Sequence, residues 1–269
     1  DTVCLDIARA RNESRGLVDG TREGFMDIMQ LVHYPDFDTY TVGHSVRVAL
    51  LATLVGKSMD LNDDLLLELC TAGLLHDVGK SQIPDEILFK PGRLDPEERE
   101  IMETHAQLGA EILMGHEKAS MLSVAGAWGH HLRNDGGGYP KAPEWAARHF
   151  LTQVLQVCDV FEALTAIRPY KPPFSPRRVY EIMVKDEGAF DPTALGVFVR
   201  AVGLYPPGSH LILTDGSRGI VTAAGEDPEK PRVLVLSDPE GNDLTDDRQF
   251  VLDLDSEEQE TPQVQELVM

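Results

Sequence analysis

The helical spacing and helix-start signals between Glu13 and Gly203 are the features that most constrain how this chain of 269 residues folds. Apolar residues recur there at three- and four-residue spacing, which is typical of amphipathic helices. Three dipeptides place a capping side chain before a proline at the first helical position, namely Asp95-Pro96, Ser175-Pro176 and Asp191-Pro192. The pattern predicts helices over 22–33, 43–59, 62–78, 96–114, 119–131, 148–166, 176–187 and 192–202. We expect a mainly α fold in which these helices pack as one bundle.

A different pattern begins after Leu204. Short β-branched runs follow one another there, namely SHLILT, GIVTAA, RVLVLS and RQFVLDL. They are separated by the turn sequences Asp215-Gly216 and Asp238-Pro239-Glu240-Gly241. This pattern predicts a small antiparallel β unit at the C-terminus.

We therefore expect four parts: an N-terminal helical lead-in (1–33), a helical domain (34–203), the β unit (204–254) and an acidic tail (255–269). Residues 226–269 hold 14 acidic residues against Lys230, Arg232 and Arg248, so we expect the tail to be solvated and partly disordered. The chain starts at Asp1 rather than at a methionine, which favours a piece of a longer protein.

Charge and cysteine content exclude several classes of protein. The chain carries 45 acidic against 24 basic residues, a formal net charge of −21, which disfavours binding to a nucleic-acid polymer or to anionic lipid. Cys4, Cys70 and Cys158 lie far apart and form no CxxC pair, so neither a disulfide framework nor a zinc ribbon is indicated. Because no apolar run approaches the ~20 residues of a membrane span and the first segment is too polar for a secretory signal, we expect no membrane insertion and a cytoplasmic protein.

Histidines inside the helical region indicate a metal centre. The pair His76-Asp77 ends one apolar helix and the pair His130-His131 follows another. Burying ionisable groups is costly unless a partner compensates, and a divalent cation does so for imidazole nitrogen and carboxylate oxygen. Adjacent residues on a helix point about 100° apart, so both members of a pair serve one site only if it is wide, as a two-metal site is. The absence of a cysteine pattern favours iron, manganese or another borderline ion over structural zinc.

The motifs around these residues resemble those of the HD-GYP family of bacterial cyclic dinucleotide phosphodiesterases. The resemblance rests on HDVGK (76–80), IPDEIL (83–88), KPG (90–92) and HHLRNDGGGYP (130–140). It extends to YTVGHS (40–45), DVFEALT (159–165) and RPYK (168–171), and so covers roughly residues 36–200 but not the β unit. It implies a bundle of the HD type that hydrolyses cyclic di-GMP to linear pGpG or to GMP through metal-activated water.

The resemblance also implies roles for individual residues. The metal ligands would be His44, His76, Asp77, His105, His130, His131 and Asp159. Lys80 resembles the family lysine near the scissile phosphate, and with Asp77 it is the expected catalytic pair. Substrate contacts are expected from the phosphate-binding pair Arg168 and Lys171 and from the groove loop with Asp135, Gly138, Tyr139 and Pro140. Spacing alone favours a helix C-cap and turn for the glycine run of this loop, whereas the surrounding motif favours close backbone approach to a nucleotide.

Two departures from the family pattern leave alternatives open. Leu132 stands where a glutamate is common, and Asn134 where an aromatic residue is usual. Leu132 motivates a catalytically silent cyclic dinucleotide receptor that signals through the β unit or through a missing N-terminal domain. An upstream sensory domain or a second copy in a homodimer is the expected protein partner. A third hypothesis is a hydrolase that prefers cyclic GMP-AMP. Some relatives hold a third metal with a glutamate at the position of Tyr40, so we expect two metals here.

The remaining histidines have no motif support. We interpret them as structural or surface residues: His33, His116, His149 and His210. Cys158 adjoins Asp159 but points away from it on a helix, so we expect a small buried residue rather than a ligand.

Overall fold

Helices dominate the described residues between Ile7 and Val202. The computed structural model describes residues 5–23, 40–142, 148–166, 174–256 and 261–268. Its α-helices are α1 (Ile7–Glu23), α2 (Tyr40–Ser58), α3 (Asp63–Leu75), α4 (Asp85–Leu88), α5 (Pro96–Glu103), α6 (His105–Met114), α7 (Met121–Gly129), α8 (Phe150–Thr165), α9 (Pro176–Lys185) and α10 (Pro192–Val202). A 3₁₀ helix, Val78–Gln82, follows α3. The predicted mainly α fold is confirmed.

The three predicted proline starts begin α5, α9 and α10. Asp95 accepts from the Glu98 amide while the Glu98 side chain accepts from the Asp95 amide, which forms a complete capping box. Ser175 caps α9 by accepting from the Arg178 amide. Asp191 caps α10 by accepting from the two amides that follow its proline. Each cap satisfies amides that have no partner inside the helix.

One predicted helix is interrupted in the structure, and another ends early. The segment predicted as one helix over 96–114 breaks at Thr104, whose amide and hydroxyl both donate to the Ile101 carbonyl and so tighten the last turn of α5. The helix predicted over 62–78 ends at Leu75, and the chain continues into the 3₁₀ helix. Both breaks place a histidine, His76 or His105, at a helix end. The predicted helix over 22–33 lies outside the described residues from position 24 onward.

Three apolar clusters hold the described helices together, the smallest of which joins α1, α2 and α3 through Val18, Ala49 and Cys70. The largest joins α2, α3, α7, α8, α9 and α10 around fully buried side chains such as Leu69, Leu155 and Phe198. The second joins α1, α3, α6 and α7 around Leu113. Each helix buries one apolar stripe in these clusters, and its polar side chains lie outside them.

Glycines allow the close helix contacts that bring the polar side chains together. A Cβ at Gly73 of α3 would lie 2.8 Å from the Cα of Ala49 on α2. A Cβ at Gly79 would lie 2.0 Å from the His105 carbonyl oxygen and 2.4 Å from the Gly109 amide nitrogen. Real side chains do not fit at such separations, so the 3₁₀ helix packs directly on the backbone of α6. This contact sets Asp77 beside His105.

A five-stranded antiparallel sheet follows the helices. Its strands are β1 (His210–Leu213), β2 (Arg218–Ala223), β3 (Arg232–Ser237), β4 (Phe250–Asp253) and β5 (Val264–Val268), in the order β4-β3-β2-β1-β5. The first four are the predicted runs. The sheet has its own apolar cluster, which includes Leu211, Val221 and Val233.

Strand β5 lies within the segment predicted as an acidic tail and adds a fifth strand to the sheet. Leu211 pairs with Leu267 in the β1–β5 ladder, and Val264 and Leu267 pack against the apolar cluster of the sheet. Apolar and polar residues do not alternate regularly in Val264–Val268, and a register shift opposite Ile212 and Leu213 allows Val264 and Leu267 to face the same cluster. The acidic composition of the surrounding segment did not predict this strand. Among the described residues, no helix is both long and apolar enough to cross a bilayer.

Candidate metal centre

The structure brings together the seven side chains predicted as metal ligands. They come from α2, the end of α3, the start of α6, the end of α7 and the middle of α8: His44, His76, Asp77, His105, His130, His131 and Asp159. Their nitrogen and oxygen atoms form three overlapping groups, within each of which all atoms lie within 4.8 Å of one another. Each of these side chains except that of His131 belongs to a buried residue.

Asp77 lies at the middle of the cluster. Its Oδ1 is 3.3 Å from His105 Nε2 and 3.6 Å from His130 Nε2. Its Oδ2 is 3.3 Å from His76 Nε2. One carboxylate therefore faces His76 through one oxygen and His105 and His130 through the other.

Asp159 forms the second acidic point of the cluster. Its Oδ1 lies 3.1 Å from His44 Nε2 and 3.9 Å from His76 Nε2. Its Oδ2 lies 4.0 Å from His131 Nδ1. The two carboxylates thus lie among five imidazole rings in a space that the helices enclose.

Backbone carbonyls fix the orientation of three imidazoles. His76 Nδ1 donates to Gly73 at 2.7 Å, His105 Nδ1 to Met102 at 2.7 Å and His130 Nδ1 to Gly126 at 2.9 Å. A carbonyl oxygen only accepts, so the proton of each neutral ring is on Nδ1 and the Nε2 lone pair points into the cluster. This is the tautomer that a metal-binding histidine needs.

A carboxylate, not a carbonyl, orients His44. The Nδ1 of His44 is hydrogen bonded to Glu162, and Glu162 also accepts from Arg47 Nε. Glu162 lies three residues after Asp159, so both project from the same face of α8.

Leu132 stands at the position where the family commonly has glutamate. It is buried, its backbone pairs in a β-bridge with Gly138, and its side chain offers no polar atom to the cluster.

The donor set fits divalent cations. Within the described residues, His76 Nε2 and Asp77 Oδ1 are fully buried and have no hydrogen-bond partner. His105 Nε2 and His130 Nε2 face each other at 3.4 Å, and both carry lone pairs when their Nδ1 atoms donate. Buried acceptors that point at one another are unfavourable unless a cation lies among them. Neutral imidazole and ionised carboxylate are also the ligand states that such cations require.

Burial and neighbouring charges set the protonation of the cluster. Burial raises the pKa of Asp77, but the electrostatic interaction with His76 and hydrogen bonds with His105 and His130 outweigh it and hold this pKa well below its usual value. Burial acts on Asp159 in the same way, and His44 and His76 again make the net shift downward in pKa. Burial lowers the pKa of His131 to about 2. Both carboxylates are therefore ionised and His131 is neutral at pH 7.

His44 titrates in the opposite sense. Burial lowers its pKa, but hydrogen bonds with Asp159 and Glu162 outweigh burial and raise the pKa to about 9. In the metal-free chain this ring acts as the cation that Asp159 and Glu162 need.

Lys80 and Tyr139 lie at the open side of the cluster. The Lys80 ammonium pairs with Asp77 Oδ2, and 26% of its side chain is exposed. The Tyr139 ring lies 4.5 Å from the His131 ring and 5.9 Å from the His105 ring. Gly138 has φ +79°, and a Cβ there would lie 2.1 Å from the His131 carbonyl oxygen. Only glycine allows the loop to fold Tyr139, followed by Pro140, back over the histidines.

Other predicted substrate contacts have different surroundings. The carboxylate of Asp135 accepts from Arg133 and from the Gly137 amide, and Arg133 also bonds to Asp186. This network anchors the loop to the chain between α9 and α10, so Asp135 has a structural role here. Arg168 and Lys171 lie outside the described residues.

Of the histidines without motif support, the structure describes His116, His149 and His210, and none of these three belongs to the grouped ligand side chains. His149 caps α8 by accepting from the Leu151 amide, and His210 is exposed on β1. Cys158 is fully buried, which raises its pKa. His33 lies outside the described residues.

Comparison with known proteins identifies the family. The HD domain family matches residues 36–194, more than half of the chain. The chain belongs to the HD domain family. Its HD domain is similar to the cyclic di-GMP phosphodiesterase PA4108 of Pseudomonas aeruginosa, with 38% identity over 210 residues, which is 78% of this chain and 51% of that protein. It is also similar to the 3'3'-cGAMP-specific phosphodiesterase 3 of Vibrio cholerae, with 34% identity over 62% of this chain and 36% of that protein. The family resemblance predicted from the sequence is confirmed.

A solved structure supports the fold of the HD domain. Bd1817, an HDG"Y"P protein from Bdellovibrio bacteriovorus, superposes with a TM-score of 0.52 at 16% identity, over 74% of this chain and 73% of that one. This chain spans about half the length of the Pseudomonas relative and less of the Vibrio relative.

Sequence reasoning missed two residues of the HD domain site, Glu162 and Arg47. The signal for Glu162 was its three-residue spacing from Asp159. The signal for Arg47 was the matching three-residue spacing from His44 on α2. Neither spacing reveals that the two side chains meet across α2 and α8.

Proposed function

We propose that this chain is a metal-dependent phosphodiesterase that hydrolyses cyclic di-GMP to linear pGpG or to GMP. The observation that carries the proposal is the pair of buried, unpartnered acceptor atoms His76 Nε2 and Asp77 Oδ1, which lie at the end of α3 among ligand side chains from α2, α6, α7 and α8. Relatives named as cyclic di-GMP phosphodiesterases in Pseudomonas aeruginosa and Thermotoga maritima, each 38% identical over the aligned part, support the substrate class.

We assign the seven ligands to two ions. Asp77 belongs both to a group with His44 and His76 and to a group with His105, His130 and His131, so it would be shared by the two ions; Asp159, grouped with His76 and His130, would complete the set. Nitrogen-rich sets with carboxylates and no thiolate suit iron or manganese. When bound, such ions lower the pKa of water and neutralise charge on a phosphodiester.

The chain's own residues orient the substrate. Lys80, held by Asp77 at the open side, directs its ammonium toward the developing negative charge of the phosphate. The Tyr139 ring covers His131 and offers a face for a base. Arg168 and Lys171 supply positive charge to a chain of net charge −21. The enclosing helices keep bulk water from the ligand atoms, which strengthens each of these interactions.

Hydrolysis of cyclic di-GMP by protein loaded with iron or manganese under reducing conditions tests the proposal. We expect linear product from the wild type and from His210→Ala, which alters an exposed histidine of the sheet. His76→Ala removes a ligand and abolishes turnover while circular dichroism shows a folded chain. Wild-type protein that holds metal and binds cyclic di-GMP but leaves it intact overturns the proposal and favours the silent receptor.

A second candidate substrate is cyclic GMP-AMP. Two further relatives from Vibrio cholerae are named 3'3'-cGAMP-specific phosphodiesterases, 34% and 37% identical over 60% and 56% of this chain. Turnover of both dinucleotides measured side by side decides the preference. The division into lead-in, HD domain and β unit, an upstream sensory domain or homodimer, and a cytoplasmic location remain predictions.

A further inference from the structure

A cleft of about 530 Å³ adjoins the metal centre. It is lined by Arg93, Leu94, Arg99, Met102, Glu103 and Tyr139. Its volume falls within the roughly 300–1,000 Å³ of sites that hold small molecules. The cleft and the metal centre share two walls: the Tyr139 ring packs on His131, and the Met102 carbonyl accepts from His105 Nδ1. A ligand that spans several ångströms would therefore occupy both.

The charge of this cleft is opposite to that of the chain. Arg99 Nε donates to Glu103 at 2.8 Å, which neutralises one of the two guanidinium groups. Arg93 is exposed and has neither an ion pair nor a side-chain hydrogen bond within the part of the chain that the structure describes. One uncompensated positive charge therefore remains at the cleft of a chain whose net charge is −21. Such a charge attracts an anion.

A cyclic dinucleotide carries two phosphodiesters, and only one of them can be cleaved at a time. The ring joins the two phosphates covalently, so the second is held near the first while the first lies at the metal ligands. A phosphate that leaves water needs a cation to replace its hydration, and arginine binds phosphate with paired hydrogen bonds. Leu94, Met102 and the Tyr139 ring offer apolar contact to a neighbouring base.

We infer that this cleft binds the phosphate that is not cleaved, with Arg93 as its main contact and Arg99, oriented by Glu103, as the second. The inference rests on the proposed phosphodiesterase function. It makes Arg93 a substrate-binding residue that affects cyclic dinucleotides but not substrates with a single phosphodiester.

Arg93→Gln, assayed on two substrates, tests the inference. With cyclic di-GMP we expect the KM to rise roughly tenfold or more and kcat to change little, because a charge-assisted hydrogen bond is lost in the ground state and in the transition state alike. With bis(p-nitrophenyl) phosphate, which has one phosphodiester, we expect no change in either constant. Arg218→Gln, an exposed arginine of β2, is the matched control and should leave both substrates unaffected.

An equal loss on both substrates would overturn the inference, because Arg93 would then act on the metal centre or on folding. An unchanged KM for cyclic di-GMP would also overturn it. Equilibrium binding of cyclic di-GMP to the metal-free protein gives a readout that does not need turnover, and here Arg93→Gln should weaken binding by a similar factor while Arg218→Gln should not. If the wild type cleaves neither substrate, the proposed function fails, and this binding comparison still decides whether the cleft holds the dinucleotide.

Discussion

Replacing Glu162 by glutamine tests how the chain orients its first predicted ligand. The Glu162 side chain is 2% exposed and joins His44 Nδ1 to Arg47 Nε. Glutamine keeps the volume of the side chain but removes its charge. The amide nitrogen of glutamine would then face either His44 Nδ1 or Arg47 Nε, both of which are donors. Partners that orient metal-binding histidines contribute roughly 10- to 100-fold to metal affinity, or about 1.4–2.8 kcal/mol. We expect Glu162→Gln to lose affinity for manganese within that range.

The same substitution also lowers the stability of the metal-free protein. Arg47, whose side chain is only 12% exposed, loses its counter-charge. Hydrogen bonds to charged groups contribute about 1.5–3 kcal/mol, so the free energy of unfolding should fall by about that amount. Chemical denaturation without metal measures this loss.

Metal affinity is measured by competition with a chelator, with Glu240→Gln as the control because Glu240 is exposed in a turn of the β unit. If Glu162→Gln binds manganese as tightly as the control while its stability falls, Glu162 supports the fold and does not orient His44 for binding. That result would contradict the role of Glu162 in orienting His44 for metal binding.

Three further predictions concern packing, pH and the sheet. Gly79→Ala should lower the free energy of unfolding by about 1–3 kcal/mol and weaken metal binding, because its Cβ would meet the backbone of α6; denaturation and metal titration measure both effects. In metal-free protein the pKa of His131 is about 2, so the folded state cannot take up the proton that the unfolded chain binds below pH 6.5. Relative to His131→Asn, the wild type should lose up to about 1.4 kcal/mol of stability per pH unit between pH 6 and 4, measured by denaturation at each pH. Deletion of residues 257–269 removes β5 and should speed amide exchange in β1 without changing metal affinity.

Local chemistry explains why much of the fold was predictable. The caps at Asp95, Ser175 and Asp191 act within three residues of the helix that they begin, so their pattern is visible in the sequence. The convergence of the seven ligands was predicted from motifs, and buried ionisable pairs at the ends of apolar helices gave an independent reason for it.

What the sequence did not reveal depends on distant contacts. Glu162 meets His44 across 118 positions of the chain, and no local pattern specifies that pairing. The break at Thr104 arises from a side-chain hydrogen bond inside a segment of continuous helical pattern. Strand β5 pairs with the edge of β1, and the composition of Val264–Val268 does not predict that pairing.

Anomalous X-ray scattering from crystals of the manganese- or iron-loaded protein tests whether these side chains bind two metal ions. We expect two metal peaks in each chain. One should lie among His44, His76, Asp77 and Asp159, and the other among Asp77, His105, His130 and His131. Crystals of fully loaded protein with no peak within bonding distance of Asp77 would contradict this expectation.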